Sequence, residues 1–125
     1  MSAVCLLVAG VLRATVPADA FTIAWQHSVE KTRWEEDYRV EGDRLVLTES
    51  RVEGSGAGME PAPEARLVNG TWHWHPAVPP LTDLRLVSST YAADYAICWA
   101  QQCRPLRELI RSRDVEIVTL APCAG

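Results

Sequence analysis

At 125 residues, 48% of them hydrophobic, the chain is long enough for one domain with a real core and too apolar to be disordered. Twelve Lys and Arg against sixteen Asp and Glu give a net charge of −4, which excludes the basic signature that nucleic acids and anionic membranes select. Five tryptophans against one phenylalanine supply large rings that also carry a polar N–H.

Residues 4–8 and 11–16 are apolar runs about Ala9-Gly10. A leader closed by Ala18-Asp19-Ala20 would look similar, but no Lys or Arg precedes the run, and Gly10 and Arg13 interrupt it. It also falls short of the roughly 20 residues that span a bilayer. A strand hairpin is expected.

Residues 21–29 alternate large apolar with small or polar side chains, Lys31-Thr32 breaks the run, and 33–40 alternate again. Glu41-Gly42-Asp43-Arg44 is a hairpin turn into a further strand at 45–52. Gly54, Gly56 and Gly58, then Pro61 and Pro63, mark a long loop. Asn69-Gly70 between 65–68 and 71–74 is a strong hairpin signal. After a Pro-rich connection come strands at 84–87 and 95–99. A short helix at 105–111 follows, with Leu106, Leu109 and Ile110 at helical spacing, then a last strand at 115–120. The expected fold is therefore all-β: an antiparallel sandwich or small barrel of about eight strands with one short C-terminal helix, in one domain over residues 1–125.

Cys5, Cys98, Cys103 and Cys123 allow two disulfides in any of three pairings, or four reduced thiols. The Cys98–Cys103 spacing is short enough to bridge. It is neither the two-residue redox spacing nor half of a four-cysteine zinc pattern.

The stretch "HSVEKTRWEED" at 27–37 packs a histidine, a serine and four acids among a valine, a tryptophan and two basic residues. With Lys31-Thr32 as a two-residue turn, Val29 faces Trp34, His27 faces Glu36, Trp25 faces Tyr38 and Ile23 faces Val40. With Gly42-Asp43 as the next turn, Glu36 faces Glu49 and Trp34 faces Arg51. A line His27, Glu36, Glu49 with Arg51 alongside then sits on the apolar face, and Ser28, Glu35, Asp37 and Arg39 face water. Opposed carboxyls about 5 Å apart in an apolar layer repel. Protonation of one acid, neutralisation by His27 and Arg51, or a bound cation would relieve them. The same arrangement serves a structural network, a ligand site, or a metal or acid–base site. A slip of one residue exchanges the faces.

"FTIAWQHSVEKTRWEEDYRV", "GSGAGMEP", "ICWAQQCRPL" and the terminal "LAPC" together resemble the bacterial family called domain of unknown function 1850, over nearly the whole chain. The family's marks fall on His27, Ser28, Glu30, Lys31, Thr32, Glu36, Gly54, Gly56 and Gly58. The resemblance implies no particular activity. It implies an association with TRAP transporters of the TAXI type, which import organic solutes by way of a periplasmic binding protein. A TRAP subunit and a small organic solute are thus the expected partners. A periplasmic or membrane-peripheral location is favoured over others.

His73 and His75 share a face and could bind metal, but no third ligand accompanies them. Trp72 and Trp74 share the other face and are expected over the core. Ser28 and His27 are neighbours on a strand and point apart, which excludes a nucleophile pair. No nucleophile elbow, phosphate loop or zinc-protease helix is present, and no cofactor is expected. The expected function is a non-enzymatic accessory or binding module using His27, Ser28, Glu30, Glu36, Glu49, Arg51, Gly54, Gly56 and Gly58. The alternative is a small metal-binding protein or hydrolytic enzyme built on His27, Glu36 and Glu49.

Overall fold

Short alternating runs separated by tight turns fold as hairpins. The computed structural model describes residues 2–26, 32–54, 63–89 and 94–124. Its strands are β1 (Val4–Val8), β2 (Val11–Val16), β3 (Ala20–Gln26), β4 (Arg33–Glu41), β5 (Arg44–Glu53), β6 (Arg66–Val68), β7 (Thr71–Trp74), β8 (Leu84–Ser88), β9 (Ala96–Trp99), β10 (Gln102–Pro105) and β11 (Glu116–Pro122); α1 (Leu106–Ile110) lies before the last. Two antiparallel sheets form, ordered β2-β1-β11-β8 and β10-β9-β3-β4-β5-β7-β6. Neither closes, so the fold is an all-β sandwich and not a barrel. No described helix is long and apolar enough to cross a membrane.

The core lies between the sheets. Val4, Leu6, Val118 and Leu120 come from the smaller sheet, and Phe21, Ile23, Tyr38, Val40, Leu45 and Ile97 from the larger. Alternation explains the choice, because each set is spaced by two along its strand. Leu106 and Ile110, one helical turn apart, plug α1 into the same core with no side-chain exposure.

The turns follow their chemistry. Ala9-Gly10 and Asn69-Gly70 both take positive φ at each central residue, as two-residue hairpins with right-handed strand twist require. A third such turn, Ala100-Gln101, joins β9 to β10 at φ 49° and 63°. It carries neither Gly nor Asn, so the hairpin does not announce itself in sequence. Its strands are clamped by the Cys98–Cys103 disulfide, between residues directly opposed at a Cα separation of 4.0 Å. The other bond, Cys5–Cys123, links β1 to the residue after β11, and no cysteine is free.

Two registers differ from the expected ones. β3 and β4 pair four residues further back: Trp25 faces Trp34, Ile23 faces Glu36 and Phe21 faces Tyr38. Aromatic partners decide this, since Trp25 stacks on Trp34 at 6.1 Å and Phe21 on Tyr38 at 5.5 Å. Cross-strand ring pairs each add up to about 1 kcal/mol, more than a tighter turn gains. A shift of four preserves which face each side chain occupies. Next to the Gly42-Asp43 turn, β4 and β5 pair as a two-residue hairpin sets them, Val40 with Leu45 and Tyr38 with Leu47, then a bulge at Thr48 advances β5 by one. Beyond it Asp37 faces Glu49, Glu36 faces Ser50, Glu35 faces Arg51 and Trp34 faces Val52. Thr48 Oγ1 donates to the Asp37 carbonyl, and the His75 ring meets the Thr48 carbonyl at 2.7 Å, so the irregularity leaves its polar groups partnered.

Candidate functional site

The bulge separates the residues that unbroken alternation would place together. Glu36 stays on the inner face with the core. Glu49 and Arg51 turn to the outer face, where Glu35 and Asp37 also lie, so the expected inward line of Glu36, Glu49 and Arg51 does not form. The expectation that Glu35 and Asp37 are plain solvent charges is corrected with it. His27, Ser28, Glu30, Gly56 and Gly58 lie outside the described residues. Gly54 is described: its φ of 73° calls for glycine, and its N–H donates to the Gly70 carbonyl at 2.7 Å. The strand ends at Gln26, Arg33 and Glu53 meet at one end of the larger sheet. There Gln26 pairs with Arg33, whose N–H donates to Glu53.

On the outer face Arg51 uses its whole fork. Nε donates to Glu35 at 3.0 Å, Nη1 and Nη2 to Asp37 at 2.6 and 2.8 Å, and Nη1 also to Glu49 at 2.6 Å. Thr22 Oγ1 on β3 donates to Asp37, Arg33 Nε donates to Glu35, and His73 Nδ1 on β7 lies 3.3 Å from Glu49. Burial alone would raise the pKa of Glu35 and Asp37. Hydrogen bonds from Arg51, with help from Arg33 at Glu35 and from Thr22 at Asp37, outweigh it and hold both below their ordinary values. Bonds to Asp37, then Glu35 and Glu49, hold the Arg51 guanidinium above its own. All three guanidinium nitrogens of Arg51 are engaged by carboxylates, so the network binds four strands to one another and offers no free cation. A cleft of about 490 Å³ opens beside it, lined by Thr22, Asp37, Arg39, Trp99, Gln101 and the Cys98–Cys103 bond. Its charges are already paired, Asp37 with Arg51 and Arg39 with Glu41.

The inner face differs. Four rings run across the larger sheet beyond its core. Trp25 stacks on Trp34, Tyr95 tilts against Trp25 at 5.7 Å, and Trp74 stands edge-on to Trp34 at 6.4 Å and 84°. All four are half-buried. The sequence places Trp25 and Trp34 on this face and Trp72 with Trp74 on one side of β7. It does not reveal the continuous row, because that depends on the β3–β4 register and on β7 pairing with β5. Glu36 sits where this row meets the core, between Ile23 and Ser50 on the flanking strands. Ser50 in turn faces Trp74. The Tyr38 hydroxyl donates to Glu36 Oε1 at 3.1 Å. Among the described residues no Arg, Lys or His forms an ion pair with Glu36.

Burial raises the Glu36 pKa, and the Tyr38 bond only partly offsets it. Burial and then the neighbouring Glu36 charge raise Tyr38 in turn. A raised folded-state pKa means that stability is fully present below the ordinary 4.5 and is lost as pH rises through the folded value. Glu36→Gln keeps an acceptor for Tyr38 and removes the buried charge. It is expected to raise the melting temperature at pH 7 by a few degrees, about 0.5–1 kcal/mol, and to leave it unchanged at pH 4. Thermal melts at the two pH values check this; a gain equal at both, or a loss at pH 7, contradicts it.

The family model described as "Domain of unknown function (DUF1850)" matches residues 21–106, which hold all of the larger sheet except Ala20, together with β8. No curated protein and no solved structure matches the chain. With well over half of its length matched, including Trp34, Glu36, Ser50 and Trp74, the chain belongs to the DUF1850 family.

Proposed function

We propose that this chain is a non-enzymatic binding module, an accessory of a TAXI-type TRAP solute transporter. Its recognition surface is the aromatic end of the inner sheet face with Glu36 at its margin. One observation carries the reading: a half-buried carboxyl, without a cation among the described residues, lies beside a row of half-buried rings. A core needs no such group, and its burial is unfavourable unless something else repays it. A concave or half-open aromatic surface with few polar groups is what a small organic solute requires. Two disulfides suit an oxidising compartment, as a periplasmic or membrane-peripheral role demands. The sequence resemblance supplies the transporter association.

The alternative, a metal or hydrolytic centre on His27, Glu36 and Glu49, needs both acids on one side of the sheet. They emerge on opposite sides. Coexpression of the tagged chain with the membrane subunits of a TAXI-type transporter tests the leading reading. Retention of the large membrane subunit through purification is expected. Its absence across detergents and expression conditions withdraws the transporter association.

A further inference from the structure

We infer that the corner formed by Trp34, Trp74, Glu36 and Ser50 binds an organic ammonium group, that is, a quaternary or protonated amine with apolar substituents. This deepens the reading above and rests on it.

The four residues occupy three adjacent strands. Glu36 is two residues from Trp34 on β4, Ser50 faces Glu36 from β5, and Trp74 faces Ser50 from β7. Opposed positions have Cβ atoms about 5 Å apart, and same-face positions along a strand lie roughly 6.5–7 Å apart. Ser50 is buried beneath the others, so one substituted ammonium spans Glu36 and the two rings above it. Trp34 and Trp74 meet at 84°, so they present two walls at right angles and not a closed stack. Indole faces carry negative quadrupole potential and attract cations, most strongly when the cation wears methyl or methylene groups that shed water easily.

The charge distribution selects among ligands. Arg33 and Arg51 are the described cations of β4 and β5 near this end, and both are committed to carboxylates on the outer face. An anionic ligand would meet the Glu36 charge with no described cation to offset it. A neutral flat ligand would desolvate that carboxyl without giving it a donor. An ammonium group neutralises Glu36 and lies against the indole surface that the Trp25 stack and the Trp34–Trp74 edge contact leave uncovered. The groups around Glu36 are Ile23 and Ser50 across the strands and Trp34 and Tyr38 along its own, so Tyr38 is the other titratable neighbour among them. Burial holding the Glu36 proton more tightly fits a carboxyl that awaits a cation.

The probes are tetramethylammonium chloride and butylammonium chloride, with sodium butyrate and sodium chloride at matched ionic strength. Binding is read from the indole N–H resonances of the isotopically labelled protein, with Trp34 and Trp74 assigned through Trp34→Phe and Trp74→Phe. Both ammonium salts are expected to shift the Trp34 and Trp74 signals, with dissociation constants on the order of 1–10 mM. Affinity should fall at least tenfold in Glu36→Gln, a variant expected to fold with undiminished stability, and should fall in the unmodified protein as pH drops through the Glu36 titration. Ammonium binding unaffected by both Glu36→Gln and pH overturns the inference. Butyrate shifting the same two signals while the ammonium salts do not also overturns it and leaves the binding-module reading standing. No shift from either class removes both.

Discussion

Replacing both Cys5 and Cys123 with serine is expected to lower the unfolding free energy by about 3–5 kcal/mol, a large part of the total for a domain of this size. The bond spans 118 positions, and closing so long a loop restricts the unfolded chain most. The native state has little reason to change. Cys5 already pairs with Ala121 in the β1–β11 ladder, and the Cys123 N–H donates to the Ala3 carbonyl at 2.9 Å without help from sulfur. The same argument gives only about 2 kcal/mol for Cys98–Cys103, which closes five positions. Urea unfolding of the two double variants at pH 7 compares them. A larger loss from the Cys98–Cys103 pair would refute the loop-closure account and point to the β9–β10 hairpin as the weak point of the native sheet.

The second large effect is expected at Arg51. Its side chain is 16% exposed, and three carboxylates converge on it from two strands. Arg51→Ala leaves Asp37 and Glu49 directly opposed with nothing between them, and Glu35 one position along. The cost is about 3 kcal/mol at pH 7, the range found when one partner of a hydrogen-bonded charge cluster is removed. Arg51→Lys keeps the charge but not the fork, and should lose about half as much. The pH dependence has a definite sign. Glu35 and Asp37 titrate below their ordinary 4.5 and 3.8, so their contribution is present above those values and is lost as pH falls through the folded ones. In Arg51→Ala that contribution is already gone. The gap between variant and parent should therefore narrow from pH 7 to pH 3. Denaturant midpoints at several pH values measure it, and a gap constant over that range would mean that Arg51 acts through packing.

Much of the fold is legible where turn chemistry is local. Ala9-Gly10, Gly42-Asp43 and Asn69-Gly70 each sit between alternating runs, and each makes its hairpin. Leu106 and Ile110 give α1 by spacing alone. What escapes is decided by partners far away in sequence. The strands β3 and β4 prefer ring-on-ring pairing to the shortest turn at Lys31-Thr32. The hairpin at Ala100-Gln101 lacks the Gly or Asn that its positive φ values favour, and the disulfide that clamps it belongs to one of the three pairings the cysteines allow. At the site, the inward position of Glu36 is legible because its register error is even. Glu49 and Arg51 are misplaced because Thr48 adds one residue. A signal for that bulge does exist: β5 has Leu45 and Leu47 but then Val52, apolar residues out of step with one another.

That change of step has a consequence for the whole larger sheet. Along β5, odd positions are interior before Thr48 and even positions are interior after it. The parity reversal lets one continuous ten-residue strand serve two chemistries, aliphatic filling at one end and a charge clamp backed by an aromatic wall at the other. It also makes the character of both faces depend on one irregularity, the bulge at Thr48. A chain that kept Thr48 but paired straight through it, with no bulge, would carry a guanidinium into the tryptophans and push Val52 out into water.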